Sequence, residues 1–243
     1  MSISSTFNRF HSHAKENRWL WLFNIFCRVA LAAGFIPSGM VKIIGERFAS
    51  GVDANHPMGH YLEALHTTGY YYTSIGVVQV LAALLLLIPR TTTLGAFLYF
   101  PIILNICILS FAVRFDGSLF TAPLMVLANL YVLGWNYEKW KFILPFNRPT
   151  TDATAWETRP TSNKFPTAFF AGVFAIVVLF VAVVPRLYSV MPRNSLAKCR
   201  AQFKGNITEA GEAFCSCVHT DGKPLYKCMV EYGSANGTTE PGR

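Results

Sequence analysis

Two basic side chains lie inside an apolar stretch near the start of the chain, FCRVALAAGFIPSGMVKIIG at residues 26–45. Because successive helical residues turn by 100°, Arg28 and Lys42 fall on one face. No Asp or Glu occurs inside the spans predicted below. A positive site without a fixed carboxylate suits an anionic guest, such as a lipid headgroup, a small anion or a reduced quinone oxygen. The ligand-binding candidates are Arg28, Lys42, Gln79 and Asn105.

Two plainer roles for these cations stay open. Arg28 follows Trp19 by nine residues, which places it about 14 Å into a membrane at 1.5 Å per residue. An ionised Arg at mid-membrane costs at least about 2.5–3.5 kcal/mol, so it either snorkels to the inner surface or braces the bundle by hydrogen bonds. Asn129 and backbone carbonyls at kinks are the further neutral acceptors. Lys42 lies near the predicted outer surface beside Glu46, where snorkelling gives it a surface role.

The segment HPMGHYLEALH at residues 56–66 carries three histidines and a glutamate. His60, Glu63 and His66 follow at three-residue spacing and meet on one face if the segment is helical. The spacing matches no standard zinc site, and Pro57 argues against a helix that covers His56. We interpret the segment as a polar interfacial loop, with a metal or proton-handling site as the alternative. We expect no resident metal.

The six cysteines fall into two groups. Cys27 and Cys107 lie inside predicted spans, where a thiol packs as a small apolar group; a redox pair is the alternative. Four others, in a tail too short for a hydrophobic core of its own, predict two disulfides that staple a small helical cap. A Cys215–Cys217 bond would be strained, which leaves two pairings open. Metal binding by CSCVH and an exchanging dithiol are competing interpretations. The disulfide candidates are Cys199, Cys215, Cys217 and Cys228.

The composition indicates a membrane protein. Of the 243 residues, 52% are hydrophobic and 14% are charged, whereas a soluble domain has about 25% charged residues. The apolar residues come in blocks near membrane-spanning length. The net charge of +8 does not predict nucleic-acid binding, because the basic residues flank apolar blocks and form no aromatic-interleaved patch. The expected partners are the lipid bilayer and another envelope or membrane protein.

The apolar blocks predict five transmembrane helices, the first a retained span rather than a cleaved signal peptide. The expected fold class is an all-α integral membrane protein, with a four-helix transmembrane bundle, a fifth transmembrane helix and a disulfide-stapled helical extramembrane cap. The predicted spans are Trp19–Ile44, Tyr72–Ile88, Leu94–Val113, Leu119–Trp135 and Phe165–Val184. The predicted regions are a cytoplasmic N-terminal segment (1–18), the bundle (19–140), a cytoplasmic linker (141–164), the fifth span (165–185) and a periplasmic Cys-rich tail (186–243).

The distribution of Lys and Arg predicts the orientation. With the N-terminus inside, the only basic residues, Lys or Arg, in the two outer loops of the four-span unit are Arg47 and Arg114. Five spans then place the tail outside, on the oxidising side where disulfides persist. The basic residues that closely follow the fifth span, from Arg186 to Lys204, run against this orientation, whereas the tail cysteines favour it.

An early Arg in the first span, the motif SGMVK at residues 38–42 and the segment GVVQVLAALLLLIPRTTTLGAFLYFPIILNI at residues 76–106 resemble the DoxX-like family of small membrane proteins. The resemblance covers about residues 20–140. The fifth span and the Cys-rich tail lie outside the usual core of that family.

The resemblance implies a four-helix bundle in the bacterial inner membrane. By this resemblance, Arg28, Gly39 and Lys42 correspond to the signature residues of the family's first span, and Gln79 corresponds to the polar residue of its second span. Some members of the family are subunits of thiosulfate:quinone oxidoreductases, others accompany methylamine dehydrogenase maturation, and distant eukaryotic relatives act as cargo receptors or chaperones. Membership does not fix an activity.

Two functions follow as expectations. The first is the membrane subunit or anchor of a redox system, quinone- or thiol-linked, with an anion or quinone pocket around Arg28. The second is a non-enzymatic assembly, scaffold or partner-binding protein of the cell envelope that presents the outer cap. The sequence contains no Ser-His-Asp set, phosphate loop, paired carboxylate or dinucleotide fingerprint. We therefore assign no catalytic residue and leave open whether the protein is an enzyme.

Overall fold

A computed structural model describes residues 11, 13–140, 161–188, 190–203 and 209–235. Over these ranges the secondary structure is helical without a strand, and one isolated bridge pairs Asn17 with Ser162. The all-α prediction is therefore confirmed for the described residues. The predicted N-terminal segment and cytoplasmic linker lie largely outside them.

Ten helices lie wholly within the described residues. They are α1 (Arg18–Ile43), α2 (Pro57–His66), α3 (Tyr70–Leu87), α4 (Thr92–Ala112), α5 (Thr121–Trp135), α6 (Tyr137–Trp140), α7 (Thr167–Leu187), α8 (Leu196–Ala201), α9 (Glu209–His219) and α10 (Leu225–Ala235).

Four of these helices, α1, α3, α4 and α7, are long and apolar enough to cross a membrane. They correspond to the first, second, third and fifth predicted spans, and their length and apolar composition indicate a membrane protein. The remaining predicted span coincides with α5, an apolar helix of 15 residues. Fifteen residues reach about 22 Å, less than the ~30 Å hydrocarbon core. A crossing by α5 therefore stays a prediction.

The chain forms two compact units, and the first comprises Met1–Pro37, Val78–Ile103 and Leu124–Leu179. Its helices pack through large aromatic side chains. Phe35 stacks on the fully buried Tyr99 at 3.6 Å between ring centroids, and the Tyr99 hydroxyl donates to the carbonyl of Leu31. The buried Ala32 lies on the same face of α1 as Phe35. The face of α1 that also carries Arg28 is therefore a packed face.

The second unit comprises Ser38–Val77, Leu104–Pro123 and Phe180–Arg243. We use "cap" for residues 190–203 and 209–235, which include α8, α9 and α10. The core of the cap is formed by the four tail cysteines with Val190, Phe214, Val218 and Leu225. Helices α9 and α10 both carry cysteines of this core.

The four tail cysteines are all buried and all paired. The bonds are Cys199–Cys215 and Cys217–Cys228, each with Cα atoms 5.8 Å apart. The pairing joins α8 to α9 and α9 to α10, so each bridge fixes one helix contact. It is one of the two pairings that the sequence leaves open. Cys27 and Cys107 are free thiols.

Candidate functional site

Arg28 in α1 is half-buried and donates two hydrogen bonds to the end of α3. Its Nε contacts the carbonyl oxygen of Leu86 and its Nη2 that of Leu87, both at 2.7 Å. These are carbonyls of the last helical turn, which has no further intrahelical donor for them. The guanidinium therefore links α1 to α3 and caps the end of α3. This matches the prediction that Arg28 braces the bundle by hydrogen bonds. Its acceptors are carbonyls of a helix end rather than of a kink.

The Arg28 side chain also borders an open groove of about 190 Å³. Nη1 has no hydrogen-bond partner among the described residues. Lys139 lies nearby and donates to the carbonyl oxygen of Pro89 at 3.5 Å. Burial lowers the pKa of Lys139, and the positive charges of Lys15 and Arg28 lower it further. This part of the first unit thus holds the cations Arg28 and Lys139 near an apolar groove. The groove is lined by Ile25, Arg28, Val29, Leu87 and Pro89.

Lys42, at the last turn of α1, is only 6% exposed. Its Nζ donates to the carbonyl oxygen of Ser38 at 2.8 Å and lies 4.3 Å from the centroid of the Phe48 ring. The ring of Tyr72 lies 5.9 Å away. The expected surface role is wrong, because a carbonyl and two aromatic faces hold the ammonium inside the second unit.

The two amide candidates have different surroundings. Gln79 in α3 is 2% exposed, and its Oε1 has no partner among the described residues. Asn105 in α4 is exposed. Neither amide supplies a hydrogen bond to Arg28, whose described acceptors are both backbone oxygens. Asn129 in α5 donates to the carbonyl of Ala96 at 3.1 Å.

The histidine segment is helical from Pro57, and His56 is its N-cap. The predicted one-face set does not converge: Glu63 pairs with Arg47 at 3.2 Å, and His66 contacts the carbonyl oxygen of Gly45. No group of three potential metal ligands occurs among the described residues. Pro57 at the first helical position explains why His56 stays outside the helix.

His56 instead meets the cap. Its ring is fully buried and lies 5.8 Å from the ring of His219 in α9. Nδ1 of His56 accepts a hydrogen bond from the backbone N–H of Met58 at 3.0 Å, so the ring proton is on Nε2. Nε2 is buried and has no partner among the described residues. Burial, and secondarily the charge of His219, lower the pKa of His56 to about 4, while Asp53 acts in the opposite direction.

His219 lies between two oxygen atoms. Its Nε2 donates to the carbonyl oxygen of Pro192 at 2.7 Å, and its Nδ1 makes an ion-pair contact with Oδ2 of Asp53 at 3.0 Å. The same Asp53 oxygen accepts from the backbone N–H of Leu196, the first residue of α8. One carboxylate thus engages two of the three cap helices.

Two further contacts fasten the cap to the loops of the second unit. Arg193 donates to both carboxylate oxygens of Asp116 at 3.1 and 3.3 Å. Asn55 donates from its side chain to the carbonyl oxygen of His219 at 2.8 Å. The cap is therefore held through side chains from both loops that the sequence predicts on the outer side.

Arg114 is a functional candidate that sequence reasoning treats only as an outer-loop charge. It is 9% exposed and donates from Nη1 to the carbonyl oxygen of Val190 at 3.0 Å. Its φ of 51° is in the left-handed region that favours glycine. The one available signal is a lone Arg that directly follows the apolar run of α4. Its partner Val190 is 76 residues away in the chain, which no local pattern reveals.

No protein-family model and no solved structure matches the chain. It is 31% identical over 132 residues to an uncharacterized protein of Bacillus subtilis (strain 168), YwoB. The aligned stretch covers 52% of this chain and 83% of that protein. Such identity over most of the length of a small protein indicates common descent. The chain therefore belongs to the family of YwoB.

Proposed function

We propose that the protein is a non-enzymatic scaffold of the cell envelope, which anchors its disulfide-stapled cap at the membrane and presents it to a partner protein. The observation that carries this proposal is the contact of Asp53 with both His219 and Leu196. Through it, a loop between two membrane-length helices fixes the orientation of α8 and α9. A surface held in this way has little conformational entropy to lose on binding.

The resemblance to the DoxX-like family supports placing the protein in the bacterial inner membrane. In this proposal the N-terminus is cytoplasmic and the cap is periplasmic. The buried disulfides of the cap agree with an oxidising compartment. All four thiols are oxidised in the two disulfides, and the four cysteines belong to the buried core of the cap.

The exposed polar side of α8 and α9 is the presenting surface in this proposal. Lys198 and Ala213 are exposed there, whereas the neighbouring Cys199 and Phe214 are buried. A photo-crosslinking residue placed at either exposed position should form an adduct with one defined polypeptide in the native membrane. The matched control is Phe174, which is 70% exposed on the apolar helix α7 and should give lipid adducts only.

The same adduct should weaken when Asp53→Asn removes the charge that contacts His219 and so loosens the orientation of the cap, while the protein remains folded and in the membrane. Absence of any polypeptide adduct from both cap positions, in cells that produce the protein at its natural level, would contradict the scaffold. Adducts that persist unchanged in Asp53→Asn would contradict the role given to the orientation of the cap.

A second candidate is the membrane subunit of a quinone-linked redox system. The observation that favours it is the Arg28 groove, where Nη1 remains available beside an apolar wall. A guanidinium N–H could donate to a quinone oxygen. Lipid extraction of the purified protein should then yield a stoichiometric quinone that Arg28→Gln loses. A quinone content equal in the two proteins would count against this candidate.

A further inference from the structure

A half-open groove of about 250 Å³ lies in the second unit, where α4 ends beside the cap. Its walls are apolar and aromatic, and none of its described lining residues is acidic. Phe111 belongs to the last turn of α4, Tyr188 follows α7, and Tyr226 and Met229 belong to α10. Arg114 is its cation.

The charge of Arg114 has no carboxylate partner among the described residues. Nη1 donates to the carbonyl oxygen of Val190 and contacts the sulfur of Met229 at 3.5 Å. The guanidinium lies over the Tyr188 ring, 4.4 Å from its centroid. Nε and Nη2 have no described acceptor, although burial makes unpaired charge costly and lowers the pKa of this side chain. An anion that enters the groove would supply the missing acceptors.

The groove continues into an apolar track on the membrane-length helix α4. Leu104, Ile108 and Ala112 follow each other at four-residue spacing and so lie along one face. Ile108 is 62% exposed and Leu104 is 37% exposed, so this face offers apolar surface below the groove. On the cap side, Tyr226 is exposed, and tyrosine is enriched at the headgroup level of membranes.

We propose that this groove binds the phosphate of an anionic phospholipid, with Arg114 as its ligand and with one acyl chain along the Leu104–Ile108 face of α4. A guanidinium fork matches phosphate oxygens in geometry as well as charge. The exposed apolar track distinguishes a lipid from free phosphate, because only a lipid covers both parts. The proposal does not depend on which of the two functions above is correct.

Native mass spectrometry of the purified full chain in detergent tests the proposal, with phosphatidylglycerol and phosphatidylcholine as probes. Wild type should retain phosphatidylglycerol in preference to phosphatidylcholine. Arg114→Gln should weaken phosphatidylglycerol retention by at least about tenfold, since it removes a charge-assisted hydrogen bond. The control, Arg186→Gln, removes an exposed arginine at the end of α7 that donates to Ala182 and should retain lipid as wild type does.

Tyr226→Ala gives a second measurement that does not depend on the folding of Arg114→Gln, because the side chain is 66% exposed. It should weaken phosphatidylglycerol retention while leaving thermal stability unchanged. Wild-type retention by a folded Arg114→Gln, or by Tyr226→Ala where Arg114→Gln does not fold, would overturn the proposal. Full displacement of the lipid by excess inorganic phosphate would also overturn it, because the site would then be one for the free ion.

Discussion

His56 is a histidine that the fold keeps neutral. Its ring is fully buried, its Nδ1 caps α2, and its pKa is lowered to about 4 from the usual 6.5. The charged groups that face it are His219 and Asp53, which act on its protonation in opposite directions. Its protonation therefore links the stability of the fold to pH.

We expect the stability of the protein to fall as pH is lowered from 6.5 to 4. In this window the unfolded chain binds a proton at His56 and the folded chain does not, so protonation favours unfolding. The stability that His56 contributes above pH 6.5 is lost progressively, by up to about 3 kcal/mol at pH 4. Thermal unfolding in detergent across this range measures the effect.

His56→Asn isolates this residue, because Asn accepts the same N-cap hydrogen bond but does not titrate. The variant should be less stable than wild type at pH 7, since a smaller side chain leaves a cavity. Its melting temperature should change much less between pH 7 and pH 4. His60→Asn, an exposed histidine on the same helix, should keep the wild-type pH dependence. A full wild-type dependence in His56→Asn would show that other groups carry it.

At the scale of elements, the sequence predicts the membrane-length helices because their signal is local. An uninterrupted apolar run such as Thr167–Val184 needs no partner to be recognised. The sequence also predicts close packing between helices in part, because small residues on α1 such as Gly39 allow two backbones to approach. The sequence does not show which residue opposes them. The structure shows Gly39 against Gly76 of α3.

Gly76→Ala should loosen this contact. A Cβ at residue 76 would lie 2.6 Å from the carbonyl oxygen of Gly39 and 2.8 Å from Cβ of Lys42, both parts of a rigid helix. The two helices must separate, at a cost of about 1–3 kcal/mol. Gly134→Ala in α5 is the matched control, because an added Cβ there meets no atom within 4 Å beyond its chain neighbours and the nearby backbone of its own helix. It should be neutral or stabilising by about 0.5–1 kcal/mol through helix propensity. Equal melting temperatures for the two variants would contradict the tight contact.

At the level of the complete chain, the disulfides and helices of the cap could be predicted from the sequence. The contacts that attach the cap to the rest of the second unit could not. Cysteine spacing indicates two disulfides, and Pro224 precedes a short helix. The contacts that fix the cap join residues such as Asp53 and His219, 166 positions apart. These are single polar pairs without periodicity, so one sequence carries no signal for them. The burial of Arg114 could not be predicted either, because its contact with Val190 is likewise a single long-range pair.

Whether α5 crosses the membrane decides the sidedness of the whole chain. Four crossings place the residues before α1 and after α7 on the same side, and five place them on opposite sides. We expect five. The apolar residues Leu119 and Phe120 precede α5 directly, and modest thinning of the bilayer accommodates a short span. The sparse basic residues of the loops before α3 and before α5 favour the same orientation.

Impermeant maleimide labelling of sealed vesicles tests this expectation, with His13→Cys and Ser234→Cys placed separately in a chain that carries Cys27→Ala and Cys107→Ala. Both positions are exposed, and the paired tail cysteines do not react while they remain oxidised.

Five crossings predict that a single reagent, added to one face, labels one variant and spares the other until the vesicles are opened. Labelling of both variants from the same face would mean that α5 does not cross, and the cap would then share its compartment with the N-terminus. The disulfides would have to persist there, which an oxidising compartment allows and a reducing cytosol opposes. The reactivity of the tail thiols without reductant would therefore identify that compartment.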